Sequence, residues 1–341
     1  MMGIAVVAAA VVYAGAGSVA RGIGSLGVGG LLLLAVMHVP IVVMMAVAWW
    51  LASGDDPPAA QWRFVWARFV RDAAGELLPF LPLGGAVFGL RALGGASVVA
   101  VVSASIDGVI ELTAKLPYAL AAILTLLPLT SGSRLTQLLW LVFAATCFVV
   151  ATLLWTRRSL WATLAAIARV VSARWPAAIS LCGCGADAAF RGSFARVLGQ
   201  RGRLWSCFML HLCCWCLGTA EVWVTFRLLG VDLTWSQALV IDGTVVTLRT
   251  FGVVVPGAAG IQEGGYMLSG ALFGITPAAS ITASLARRAR DLLLGVGTLG
   301  FAAVGKAARS CREVRGAEAR AGLAPRRPSH PTDWPGPYTR E

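Results

Sequence analysis

The sequence predicts an all-α polytopic membrane protein, with six to eight transmembrane helices and two segments broken by proline and glycine. Three observations carry this. Hydrophobic residues make up 58% of the 341 and charged residues only 13%, about half the charged share of a soluble domain. Apolar runs near the ~20 residues that a bilayer core demands recur along the chain. Two apolar stretches are interrupted in the middle, and broken backbone at membrane depth is tolerated only where it is buried in protein or lines a wet cavity.

Taken in order, Ile4 to Ala20 is rich in Ala, Val and Gly and just long enough to span. It lacks a basic leading region, so a retained first span is expected rather than a cleaved leader. Gly27 to Ala52 is the second span, ending in Trp49 and Trp50 at an interface. His38-Val39-Pro40 interrupts it, and a lone His beside Pro reads as a packed core residue. In Asp55 to Glu76, Arg63, Arg68 and Arg71 interleave with Trp62, Phe64, Trp66 and Phe69, a mixture that suits a helix lying at the membrane surface. Leu77 to Arg91, LLPFLPLGGAVFGLR, is apolar, Pro-broken and too short to span comfortably. Ser97 to Thr130 is one long run, kinked or divided at Pro117. Asp107, Glu111 and Lys115 fall on one stripe of it, with Glu111 and Lys115 in the favourable ion-pair order. Gln137 to Trp155 is a plain span without charge.

Arg157 to Arg203 carries eight arginines against one acid, Asp187. The positive-inside rule places this loop in the cytoplasm. Leu204 to Leu229 then crosses outward, Ser236 to Phe273 forms a pair of spans or re-entrant segments, and Ile281 to Gly305 returns. Both termini are expected inside, with residues 1–305 as the membrane domain and 306–341 as a basic, Pro-rich, disordered tail. No separate soluble domain is expected.

The chain is organised around Arg249 to Phe273, RTFGVVVPGAAGIQEGGYMLSGALF. Pro256, Gly257, Gly260, Gly264 and Gly265 interrupt it beside a carboxylate, Glu263. It is either a ligand site inside the membrane or a short loop with Glu263 at the surface. The Leu77 to Arg91 stretch is of the same kind. A pair of interrupted segments in corresponding halves points to a site between structural repeats, with inverted repeats as one arrangement that fits.

The last span holds Arg287, Arg288, Arg290 and Asp291. Each charge at bilayer centre costs about 2.5–3.5 kcal/mol, so four facing lipid would cost on the order of 10 kcal/mol. The expectation is that Arg287 pairs with Asp291 at i, i+4 and that Arg288 and Arg290 are left as free cations lining a polar cavity. The alternative starts the helix near Arg290, with the arginines at headgroups. Asp242 and Arg249 lie on one helix face, and Glu221 sits mid-run. A cavity gathering Arg91, Arg249, Arg287 and Arg288 would suit a phosphate or other anionic headgroup through bidentate contacts. Glu263, Asp107 and Asp242 would neutralise these arginines or relay protons.

The net charge of +12 is ordinary for a membrane protein facing anionic headgroups. The arginines flank spans rather than form a soluble basic domain, so a nucleic-acid role is not supported. Of the eight cysteines, Cys147, Cys213, Cys214 and Cys216 lie in apolar runs, and Cys182 and Cys184 form CGC. Neither CCWC nor CGC fits zinc-motif spacing, so no metal site and no cofactor is expected.

These residues carry a resemblance. VVVPGAAGIQEGGYMLSGALFGI resembles the signature of the lysylphosphatidylglycerol synthase transmembrane-region superfamily, and most closely its hopanoid-biosynthesis-associated branch, the HpnL-type membrane proteins. AWWLA, ARFVRDAAGELLPFLPLGG, ASIDGVIELTAKL, LHLCCWCLGTAEVWVTFRLLG and ASLARRARDLLLG agree in order. The resemblance spans nearly all of Met1 to Gly305. It implies the site positions Arg91, Asp107, Glu221, Arg249, Pro256, Gly260, Gln262, Glu263, Arg288 and Arg290. Ala86 stands where the family usually has an acid, and Gly257-Ala258 where it often has Gly-Gly.

What the resemblance implies is a lipid transporter or flippase-like protein of the inner membrane, linked to hopanoids or to another isoprenoid or anionic lipid. Membrane lipids are its expected partners. A non-catalytic partner of lipid-biosynthetic enzymes is one alternative. An intramembrane transferase using Glu263 as base is a lesser one, since no nucleophile elbow, zinc motif or nucleotide loop is present.

Overall fold

The computed structural model describes residues 2–77, 84–95, 97–126, 186–251 and 260–320, together with residues 137, 141 and 144. The described residues are helical: α1 (Met2–Ala14), α2 (Ala16–Leu51), α3 (Gln61–Leu77), α4 (Gly84–Leu93), α5 (Val98–Leu126), α6 (Ala186–Gly199), α7 (Arg201–Leu228), α8 (Trp235–Phe251), α9 (Ile261–Leu272) and α10 (Pro277–Arg320). The chain divides into a compact unit, residues 1–298, and a second, residues 299–341. The span expected over Gln137 to Trp155, most of the Arg-rich loop, the Pro256 break and the end of the tail lie outside the described residues.

Three described helices are long and apolar enough to cross a membrane: Ala16–Leu51, Val98–Leu126 and Arg201–Leu228. The first run is divided between two helices. Its helix α1 has 13 residues, about 20 Å at 1.5 Å per residue. It stops because Gly15 takes φ 86, a left-handed conformation that only glycine adopts freely. Pro40 leaves α2 unbroken, whereas Gly27, at φ 60, kinks it.

α2, from Gly30 onward, and α7 run antiparallel. Asp55, just past α2, bonds Arg203 at 3.1 Å, the Cys214 thiol reaches the Ile41 carbonyl at 3.6 Å, and Gly30 faces Leu228. One end of the bundle therefore holds the end of α2 and the start of α7. The other holds the end of α7 and the start of α8.

The two interrupted segments join short helices that fold back on themselves. In the first, a Cβ at Gly85 would lie 2.6 Å from the Arg71 carbonyl oxygen, and one at Gly89 3.2 Å from that of Ala67. The order reverses from α3 to α4, so the two are antiparallel, and glycine lets their backbones approach closely. In the second, Gly265 of α9 packs on Val245 and Leu248 of α8, while Gln262 meets Arg249. The arms have 17 and 10 residues in one hairpin and 17 and 12 in the other. None reaches the ~20 residues needed to cross. The α3–α4 hairpin starts at the first end of the bundle and the α8–α9 hairpin at the second, so they enter from opposite ends.

The helices after each hairpin complete this symmetry. α5 lies parallel to α7, with Asp107 beside His211 and Tyr118 beside Thr219. α10 lies parallel to α2, with Ile281 clustered with Val19 and Ala286 with Leu26. The two halves, α2–α5 and α7–α10, are thus inverted copies of one plan.

The plan depends on close packing of α5 against α8, where a Cβ at Gly243 would overlap the Cβ of Ala122. Gly243→Val is expected to lower stability by about 1–3 kcal/mol, read as a lower midpoint of thermal unfolding in detergent. Gly264→Ala, which meets nothing within 4 Å, serves as the control and should leave the midpoint unchanged or raise it.

Candidate functional site

The deep ends of the two hairpins meet. Glu76 lies near the end of α3 and Arg249 near the end of α8, each beside its interrupted segment. Arg249 Nη2 donates to Glu76 Oε1 at 2.8 Å, and its Nη1 donates to Gln262 Oε1. Gln262 Nε2 donates to the Ser284 carbonyl at 3.1 Å and to Ser284 Oγ at 2.9 Å. Ser284 Oγ in turn donates to Glu263 Oε1 at 3.2 Å. Both hairpins and α10 are joined by this one chain of bonds.

Glu263 is held by the helix it opens. Gly260 precedes α9 at φ 85, and its N–H, one of the groups a helix start leaves unsatisfied, donates to Glu263 Oε2 at 2.7 Å. The helix dipole favours a carboxylate at this end. Arg288 of α10 then grips it with two bonds, Nε to Oε1 at 2.6 Å and Nη2 to Oε2 at 3.1 Å. This bidentate, charge-assisted pair is the strong kind. Exposure separates the members. Gln262 and Glu263 are sealed at 0%, whereas the side chains of Arg249 and Glu76 keep 24% and 27% exposure and that of Arg288 keeps 20%.

Two further clusters lie along α10. Arg287 Nη1 donates to Asp242 Oδ1 at 2.8 Å. The other oxygen of Asp242 accepts from the Tyr118 hydroxyl at 2.6 Å, and that hydroxyl lies 2.6 Å from Thr219 Oγ1. Arg290 bonds Glu221 of α7 and, through Nε and Nη2, Asp291 at 3.0 and 2.6 Å. His38 Nδ1 lies 3.0 Å from the other oxygen of Glu221.

The first half has its own cluster. Asp107 of α5 accepts from Arg71 Nη1 at 3.2 Å and lies 3.6 Å from Arg68 Nη1 and 2.9 Å from His211 Nε2. Arg68 also bonds Asp72 at 2.9 Å and Glu111 at 3.4 Å.

Several sequence expectations are corrected. Arg287 does not pair with Asp291, because i, i+4 neighbours on α10 each find a nearer partner: Asp242 for Arg287 and Arg290 for Asp291. Arg288 and Arg290 are not free cations but are paired with Glu263 and Glu221. Glu111 is held by Arg68 and Arg71 rather than by Lys115, which sits 4.9 Å over the Trp215 ring. Helix α3 buries one face in the protein, where Arg68 is only 4% exposed, and leaves Trp62 exposed on the other. Phe64, Ala67, Arg68 and Arg71 share one 3.6-period stripe, and that stripe is the buried one. Arg91 lies exposed in the last turn of α4, beside the Phe88 ring. Pro256 lies outside the described residues.

Of the residues singled out from the sequence, Arg249, Gly260, Gln262, Glu263 and Arg288 come together. Asp242 joins Arg287, and Glu221 joins Arg290 and Asp291. Asp107 stands in the separate first-half cluster. Sequence reasoning missed Glu76, Tyr118, Ser284 and His211. Only Glu76, beside the first interrupted segment, carried a usable signal: its place matches that of Arg249 beside the second.

A buried pair stripped of one partner leaves an uncompensated charge. Arg290→Ala is expected to cost about 3–5 kcal/mol, seen as loss of folded protein or a lower unfolding midpoint. Replacing both members of the Asp242–Arg287 pair with leucine should cost less than the sum of the two single leucine changes, measured as a double-mutant cycle in the same assay.

Searches of curated proteins and of solved structures returned no match. The family model for the lysylphosphatidylglycerol synthase transmembrane region matches residues 1–298, the same residues that form the compact unit. The inverted hairpins and their charged junction thus lie within the matched region, and the chain belongs to this lipid-related family of membrane proteins.

Proposed function

We propose that the protein moves lipid headgroups across the membrane, as a flippase-like transporter of an anionic or isoprenoid-linked lipid, with hopanoid metabolism as its setting. The observation that carries this reading is the junction of the hairpins, where Glu76 bonds Arg249 at 2.8 Å. Two hairpins entering from opposite ends bring a helix start and accessible guanidiniums together. This is the arrangement in which secondary transporters hold their substrates, and helix starts favour anions. Arg249 and Arg288 are partly exposed and face carboxylates, so a phosphate entering the junction would exchange with Glu76 or Glu263 for the same donors. Inverted halves would let the junction open toward one end and then the other. The resemblance to the hopanoid-associated branch supports the lipid class.

We read the chain as a transporter rather than an enzyme. Glu263, the carboxylate best placed to act as a base, has both oxygens occupied by Arg288, Ser284 and the Gly260 N–H.

The test is lipid movement in vesicles of egg phosphatidylcholine holding a trace of fluorescently labelled phosphatidylglycerol, with quenching of the outer leaflet. The intact protein is expected to speed exchange between leaflets. Arg249→Ala and Arg288→Ala, each reconstituted as a monodisperse folded protein, should lower the rate by about tenfold or more, the worth of one charged bidentate contact. Exchange no faster than in protein-free vesicles, or unaffected by both changes, would overturn the reading.

A further inference from the structure

The cluster between α5 and α7 contains more than ion pairs. Asp107, Cys207 and His211 present a carboxylate oxygen, a thiol sulfur and a ring nitrogen that all lie within 4.8 Å of one another. Cys207 and His211 are four residues apart on α7, hence on one face, and Asp107 comes from α5. All three are 0% exposed. His211 Nε2 faces Asp107 Oδ1 at 2.9 Å, while its Nδ1 is sealed from solvent with no partner among the described residues. With one nitrogen on a carboxylate and the other unsatisfied, the ring carries either a bare lone pair or an unused N–H in a dry place.

We propose that Asp107, Cys207 and His211 bind one zinc-class divalent ion that ties α5 of the first half to α7 of the second. Thiolate, imidazole and carboxylate are the ligand set of zinc. Donor atoms on a tetrahedral ion lie roughly 3.2–3.6 Å apart given its bond lengths, so the widest pair draws in by at most about 1.5 Å while His211 and Asp107, now 2.9 Å apart, open slightly to admit the ion. Arg68 and Arg71 hold the far oxygen of Asp107 and leave Oδ1 toward His211. Asp72, Asp107 and Glu111 together face these two guanidiniums, an excess of one negative charge. Binding converts the Cys207 thiol to thiolate and releases its proton, which makes the excess two, the charge of the ion. Lys115, one turn beyond Glu111 on α5, lies over the Trp215 ring. The i, i+4 Cys–His pair is not a familiar zinc spacing, which is why the sequence alone did not point to it.

The test is elemental analysis of the full chain, purified tag-free in detergent without chelator, followed by thermal unfolding. About one zinc per chain is expected, with the midpoint falling on treatment with a strong chelator and recovering on return of zinc. His211→Ala is expected to lose the zinc but disturbs the Asp107 contact as well. Cys207→Ser keeps the size and the His211–Asp107 bond, so it should fold, hold less than about a tenth of the zinc and show no response to chelator. Metal-free wild-type protein whose midpoint does not move when zinc is added would overturn the proposal, as would folded Cys207→Ser with undiminished zinc. Neither result bears on lipid movement, which is measured separately.

Discussion

A charge taken out of water in this protein has to meet its opposite, and the arrangement of the helices follows from that requirement. Glu263, Asp242, Asp107 and Glu221 are nearly or fully buried, and each is bonded to a guanidinium from another helix. Isolated, any one would be prohibitive in a low-dielectric interior. Paired across elements, they prescribe which helix lies beside which. Apolar packing alone is a poor guide to register inside a membrane, where lipid tails are as apolar as leucine. The ion pairs supply the missing specificity.

The pairs also follow the inverted plan, with the sign of charge exchanged. In the first half the hairpin carries the bases, Arg68 and Arg71, and the following helix the acids, Asp107 and Glu111. In the second half the hairpin carries the acids, Asp242 and Glu263, and the following helix the bases, Arg287 and Arg288. Glu76 and Arg249, at matching places in the two hairpins, are likewise of opposite sign and meet each other. Exchanged signs let equivalent positions attract where the halves come together; equal signs would repel there.

The junction is distinguished by joining both hairpins to α10 through one chain of bonds. The Arg290–Glu221 pair and Asp107 itself are buried and tie helices together, with Arg71, Asp72 and His38 beside them keeping partial exposure. At the junction, the guanidiniums of Arg249 and Arg288 retain exposure while the groups behind them, Gln262 and Glu263, do not. A rigid, hydrogen-bonded back wall with accessible cations in front is suited to taking an anionic group in exchange for a carboxylate, because the donors are already oriented.

The sequence by itself determined the class of the molecule, since long apolar runs with so little charge have no other stable environment. It also marked the two interrupted segments, Glu263 and the Arg287–Asp291 group, because glycine, proline and charge are conspicuous in apolar surroundings. The partners were decided by the tertiary structure. Arg287 and Asp291 are spaced to pair along their own helix, yet Asp242, 45 residues away, and Arg290 hold them instead. Spacing along a helix reports only which groups can meet locally. Which carboxylate lies across from a guanidinium depends on how the two hairpins enter from opposite ends, and that is a property of the packed bundle. The arginines of α3 make the same point: beside aromatic residues they suit a membrane surface, and only the acids waiting on α5 turn that face inward.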